Sequence, residues 1–119
     1  MHAAPRLRVH IDRREQAFVL IVRGEVDYQS AEDFEQAWEA ADRAAMPVTA
    51  VDLAEVTFAD SMLLNALIAA LHRHRADGRE LVLIGPLRPA VRRLLTITGT
   101  MELFTITGTR PDGDGADTS

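Results

Sequence analysis

The chain contains no cysteine. That excludes disulfides, thiol nucleophiles and cysteine-ligated zinc, and leaves the compartment open. It also lacks a leader with a basic start and an apolar middle, since Met1 to Arg8 is short and mixed. No long hydrophobic run is present. The longest, Met62 to Leu71, is interrupted by Asn65 and falls well short of the roughly 20 residues that cross a bilayer. Excess positive charge is missing too: the net charge of −5 argues against broad binding to nucleic acid or to an anionic membrane. There is no Gly-x-Ser-x-Gly elbow and no Gly-rich phosphate loop. These absences leave a cytoplasmic protein that inserts into no membrane, contacts no nucleic acid directly, is not an enzyme, holds no metal or tight cofactor, and works through protein partners. Its oligomeric state is left open.

What is there fits one domain. The 119 residues suffice for a single core, and 47% hydrophobic with 26% charged residues is the balance of an ordinary globular protein. Leu7 to Ile11 alternates as a first strand, and Ala17 to Val22 is a near-continuous apolar second strand that Gly24 ends. A helix is expected from Ser30, where Ser30-Ala31-Glu32-Asp33 resembles a capping box, to Pro47. Its buried stripe is Phe34, Ala37, Trp38, Ala41 and Ala45, and Trp38 should lie against the sheet. Thr49 to Leu53 reads as a strand that runs out at Leu53, followed by a short connection and a helix from about Met62 to Asp77. Glu80 to Ile84 is a strand, Pro89 opens a third helix that Gly99 stops, and Leu103 to Ile106 is a last short strand. The order is β-β-α-β-α-β-α-β, an α/β class in which a mixed sheet carries packed helices. Residues 1–5 read as an extension, 6–108 as the domain, and 109–119 as a disordered tail rich in Gly and Asp.

The most informative stretch is Asp60-Ser61, directly before the apolar helix. A hydroxyl there lies in the positive end of the helix dipole beside free backbone N–H groups. It can cap the helix, or carry a phosphate there without unfolding it. The plain alternative is an ordinary capping serine or aspartate. Glu25 and Asp27, after the second strand, read either as a solvated turn or as a contact surface. The acidic run Glu32, Asp33, Glu35, Glu39 and Asp42 reads as the wet face of the first helix. His72 and His74, two apart, point to different sides and cannot share a metal, and the His72-Arg73-His74-Arg75 cluster reads as cations offsetting the dipole in the last turns.

Gly24-Glu25-Val26-Asp27, Val51-Asp52-Leu53 with Val56-Thr57-Phe58, the pair Asp60-Ser61, and Val91-Arg92-Arg93-Leu94-Leu95 before Thr98-Gly99 occur in an order that resembles the STAS family, the domain of bacterial anti-sigma factor antagonists. The resemblance covers about residues 6 to 108. It implies a protein that, unphosphorylated, binds an anti-sigma serine kinase and so frees a sigma factor. Phosphorylation at Ser61 would switch this off and a separate phosphatase would reset it. It further implies a partner surface of Glu25, Asp27, Asp60, Ser61, Met62, Leu63 and Asn65. The chain departs from the family where a second Ser or Thr and then Gly-Leu-Gly often follow the acceptor. Met62, Leu63, Leu64 and Asn65 stand there instead. Met62-Leu63 would then be an exposed apolar start, suited to a second reading: a permanent STAS subunit of a signalling or transporter-associated complex in which Ser61 is only a cap.

Overall fold

Alternation along Leu7 to Arg13 and the β-branched run from Ala17 set up a hairpin, with Ile11 opposite Leu20. The computed structural model describes residues 7–108, so the extension 1–5 and the tail 109–119 lie outside the described residues. The elements are β1 (Leu7–Arg13), β2 (Ala17–Val26), a 3-10 turn (Tyr28–Ser30), α1 (Ala31–Ala44), β3 (Val48–Ala59), α2 (Ser61–Ala76), β4 (Glu80–Ile84), α3 (Pro89–Ile97), a second 3-10 turn (Met101–Leu103) and β5 (Thr105–Thr107). Element order and class are those expected from the sequence.

The sheet order is β1-β2-β3-β4-β5, antiparallel only between β1 and β2. Three successive right-handed crossovers in one direction place their helices on one face. The main core accordingly joins Phe18, Leu20 and Val22 of β2 to Phe34 and Trp38 of α1, Leu63 and Leu67 of α2, and Val91 and Leu95 of α3. A smaller cluster on the alternate strand positions, Ala17, Val19, Ile21, Ala50 and Ile84, contains strand residues alone. Trp38 is buried at 4% exposure, as its place in the stripe requires, and meets Phe34 edge to face at 5.7 Å.

Several boundaries differ from the sequence reading. β2 does not end at Gly24, and β3 does not run out at Leu53. The two continue together, Glu25 opposite Phe58 and Val26 opposite Ala59, across irregularities at Ile21/Arg23 and Gly24/Glu25. Parallel pairing with a distant segment carries polar residues that a local reading assigns to a loop. The capping box lies three residues earlier than expected, at Asp27 and Ser30. Ser30 makes no side-chain cap for α1. Ala45 is exposed rather than part of the stripe, because it forms the C-cap of α1 with φ 50°. The last strand is Thr105–Thr107, since Met101–Leu103 takes the 3-10 turn and leaves Leu103 exposed.

Candidate functional site

β2 and β3 deliver the candidate residues to one end of the sheet. The Asp60 amide donates to the Val26 carbonyl at 3.2 Å, so the chain leaves β3 tied to the last residue of β2. Asp60 is extended (φ −115°), and its carboxylate accepts from the Met62 amide at 2.8 Å. It is therefore the N-cap of α2. Ser61 occupies the first helical position, exposed, and its hydroxyl makes no hydrogen bond among the described residues. The sequence alternative in which Ser61 itself caps the helix is thus replaced by an aspartate cap, which leaves the serine oxygen open at the positive end of a 16-residue helix.

The other serine at a helix start provides a contrast. Ser30 is buried, accepts from the Asp27 amide at 3.0 Å and donates to the Asp27 carbonyl at 2.9 Å. Asp27, also buried, turns its Oδ1 to the Gln29 amide at 3.0 Å. Asp27 thereby fixes the turn that leads from β2 into α1. Glu25 lies within β2, not in a loop, and is exposed beside Phe58. Since Val26 and Ala59 face the helices, Glu25 and Phe58 share the opposite face.

The remaining predicted residues divide. Asn65 is exposed and Met62 half-buried, both on the α1-facing side of α2. Leu63 has no exposed surface. It packs with Leu67 in the core, so Met62-Leu63 is not an exposed apolar pair and Leu63 has no side chain to offer a partner. The sequence reading missed two exposed aromatics: Tyr28, 74% exposed, in the turn after β2, and Phe58, 47% exposed, three residues before Ser61.

At the other end of α2, His74 is fully buried and does not act as a cation. Its Nδ1–H donates to the Ala70 carbonyl at 2.7 Å, which leaves Nε2 to accept from the Thr49 hydroxyl at 2.7 Å. Burial lowers its pKa below the usual 6.5 and outweighs the opposing hydrogen bond to Ala70. Arg79 and Arg73 act in the same direction as burial, and Asp42 against it. Of that cluster Arg73 and Arg75 remain as the cations that offset the dipole. Among the described residues no three His, Asp or Glu side chains group to hold a metal, and no helix is long and apolar enough to cross a membrane.

The family model described as the Mlab STAS domain matches residues 9–105. The chain belongs to the STAS domain family. This STAS fold is a non-enzymatic protein-interaction domain. Among curated proteins the sequence finds no match. An anti-sigma factor antagonist from Mycobacterium paratuberculosis is similar in structure, with 28% identity, TM-score 0.76, and coverage of 99% of this chain and 100% of that one. A putative anti-sigma factor antagonist from Thermotoga maritima shares the fold at 19% identity and TM-score 0.76, over 85% of this chain and 86% of that one. The Bacillus cell fate determinant SpoIIAA in its phosphorylated form shares it at 15% identity and TM-score 0.67, over 93% of this chain and 98% of that one.

Proposed function

We propose that this STAS domain is an anti-sigma factor antagonist whose unphosphorylated form binds an anti-sigma serine kinase and frees a sigma factor. The kinase uses ATP to phosphorylate Ser61, and a separate phosphatase resets the protein. The observation that carries this reading is the division of labour at the start of α2. Asp60 performs the capping, and the Ser61 oxygen stands exposed and uncommitted. The similarity to the mycobacterial antagonist supports the general role.

Phosphorylation adds about −1.5 to −2 charge at the Ser61 oxygen. Within the domain the α2 dipole offsets it. Across an interface built on a neutral hydroxyl, the new charge beside Asp60 loses its water without gaining a partner, at a cost of several kcal/mol. The switch therefore acts by local repulsion and desolvation. The partner surface is composed of Glu25, Asp60, Ser61, Met62 and Asn65, with Asp27 holding the turn behind them. Incubation with the cognate kinase and ATP, followed by mass spectrometry, should place the phosphate on Ser61 and leave the buried Ser30 unlabelled. Labelling elsewhere, or none, removes the switch.

A second reading, a permanent STAS subunit of a signalling or transporter-associated complex, takes its support from Met62, Leu63, Leu64 and Asn65 where the family often has Ser or Thr and glycines. It predicts that Ser61→Asp binds the cognate partner as tightly as the unsubstituted protein.

A further inference from the structure

A groove of about 410 Å³ runs between α1 and α2. Phe34, with no exposed surface, and Trp38, 4% exposed, lie beneath its floor, and Met62, Ala66 and Ala69 of α2 present its apolar wall. The Trp38 Nε1–H is buried and has no acceptor among the described residues, a state that buried indoles seldom keep. Glu35 and Glu39 are exposed along the α1 rim, and neither makes an ion pair among the described residues. The ion pair between Arg73 Nε and Asp42 at 2.9 Å closes the far end. From Met62 to Arg73 the groove follows three turns of helix, about 16 Å at 1.5 Å per residue.

These features select an occupant. Small residues on α2 allow a backbone to approach closely. The apolar wall of Met62, Ala66 and Ala69 favours an apolar side chain, and two unpaired carboxylates along one rim favour cations over anions. We propose that the α1–α2 groove docks a basic amphipathic helix of a protein partner, with an apolar residue over Trp38 and Ala66 and Lys or Arg residues toward Glu35 and Glu39. This is recognition of a helix in a groove, read by anchors at helical spacing. It goes beyond the phosphoswitch: Met62 and Asn65 belong to both surfaces, but Glu35, Trp38, Glu39 and Ala69 belong to the groove alone.

Trp38 is the sole tryptophan, so its fluorescence reads the groove directly. The probe is a helical peptide of Leu and Lys with Leu on one face, and the counter-probe replaces Lys with Glu. The Leu/Lys peptide should shift Trp38 emission saturably, and the Leu/Glu peptide should not. Glu35→Lys with Glu39→Lys should weaken binding about tenfold, the sum expected of two partly exposed ion pairs. Ala69→Arg should abolish it by filling the groove from an exposed position. Glu80→Lys with Glu102→Lys makes the same change in net charge elsewhere and should leave binding intact. Ser61→Ala should bind the peptide like the unsubstituted protein, whatever it does to the kinase. Equal binding of the Leu/Glu peptide, equal loss in the distant double variant, or no saturable shift overturns the proposal. So does self-association of the chain that Glu35→Lys with Glu39→Lys abolishes, because the groove would then belong to a second copy.

Discussion

At the scale of single residues, Asp60 and Ser61 divide what a helix start needs from what a switch needs. Asp60→Ala removes the cap from the Met62 amide and should lower stability by about 1 kcal/mol in urea unfolding, while Ser61→Ala should change it much less. Ser61→Asp should stabilise the fold by roughly 0.3–1 kcal/mol through the α2 dipole and yet bind the anti-sigma kinase more weakly. Stability and affinity moving in opposite directions is the signature to look for, by thermal unfolding and by calorimetry with the kinase. Parallel movement would remove the electrostatic account. His74 provides a different test. Its pKa is lowered in the folded protein, so the unfolded chain takes up the proton first. The stability contributed by the neutral imidazole is complete above the unfolded value of 6.5 and is lost as pH falls below it toward the folded pKa. His74→Gln should be less stable at pH 8, and its melting temperature should fall less between pH 7.5 and 5.5.

At the scale of elements, α1 ends on a residue poorly suited to its backbone. Ala45 holds φ 50° at the C-cap, in the left-handed region that a side chain with Cβ resists by about 1–2 kcal/mol. Ala45→Gly should therefore raise stability by up to about 1 kcal/mol in urea unfolding, and a loss would show that contacts of the alanine methyl outweigh the strain. The helices were legible in the sequence because capping and apolar spacing are local. Even Leu63 was readable from spacing, since it shares a face with Leu67 and Ala70. A motif comparison that stops at Met62-Leu63 hides that face. The outer halves of β2 and β3 were not legible. Glu25 and Glu55 have no strand signal of their own, and each is held by register with a chain segment about thirty residues away. Tyr28 and Phe58 escaped for a related reason: which face they occupy is decided only once the strands are paired.

At the scale of the whole molecule, pairing is uneven. β2 and β3 run together from Ala17 and Val48 to Val26 and Ala59 at the centre of the sheet, while β5 adds three residues at its edge. Hydrogen exchange should find the amides of Val19–Val22 and Ala50–Leu53 slowest and those of β5 fastest. The same profile recorded on Ser61→Asp should be superimposable outside the first turn of α2, because the proposed switch adds charge without moving elements. Widespread loss of protection would mean that the switch works by refolding.

The continuity of β3 up to Ala59 has a kinetic consequence. Ser61 follows the strand after the single capping residue Asp60, so little chain entropy remains to be lost when a partner closes over it. Complex formation need not wait for a loop to order, and its rate is governed by diffusion and orientation. On the proposed switch, discrimination between the two forms is then expressed in how long the complex lasts. Phosphate on Ser61 should shorten its lifetime far more than it slows the encounter.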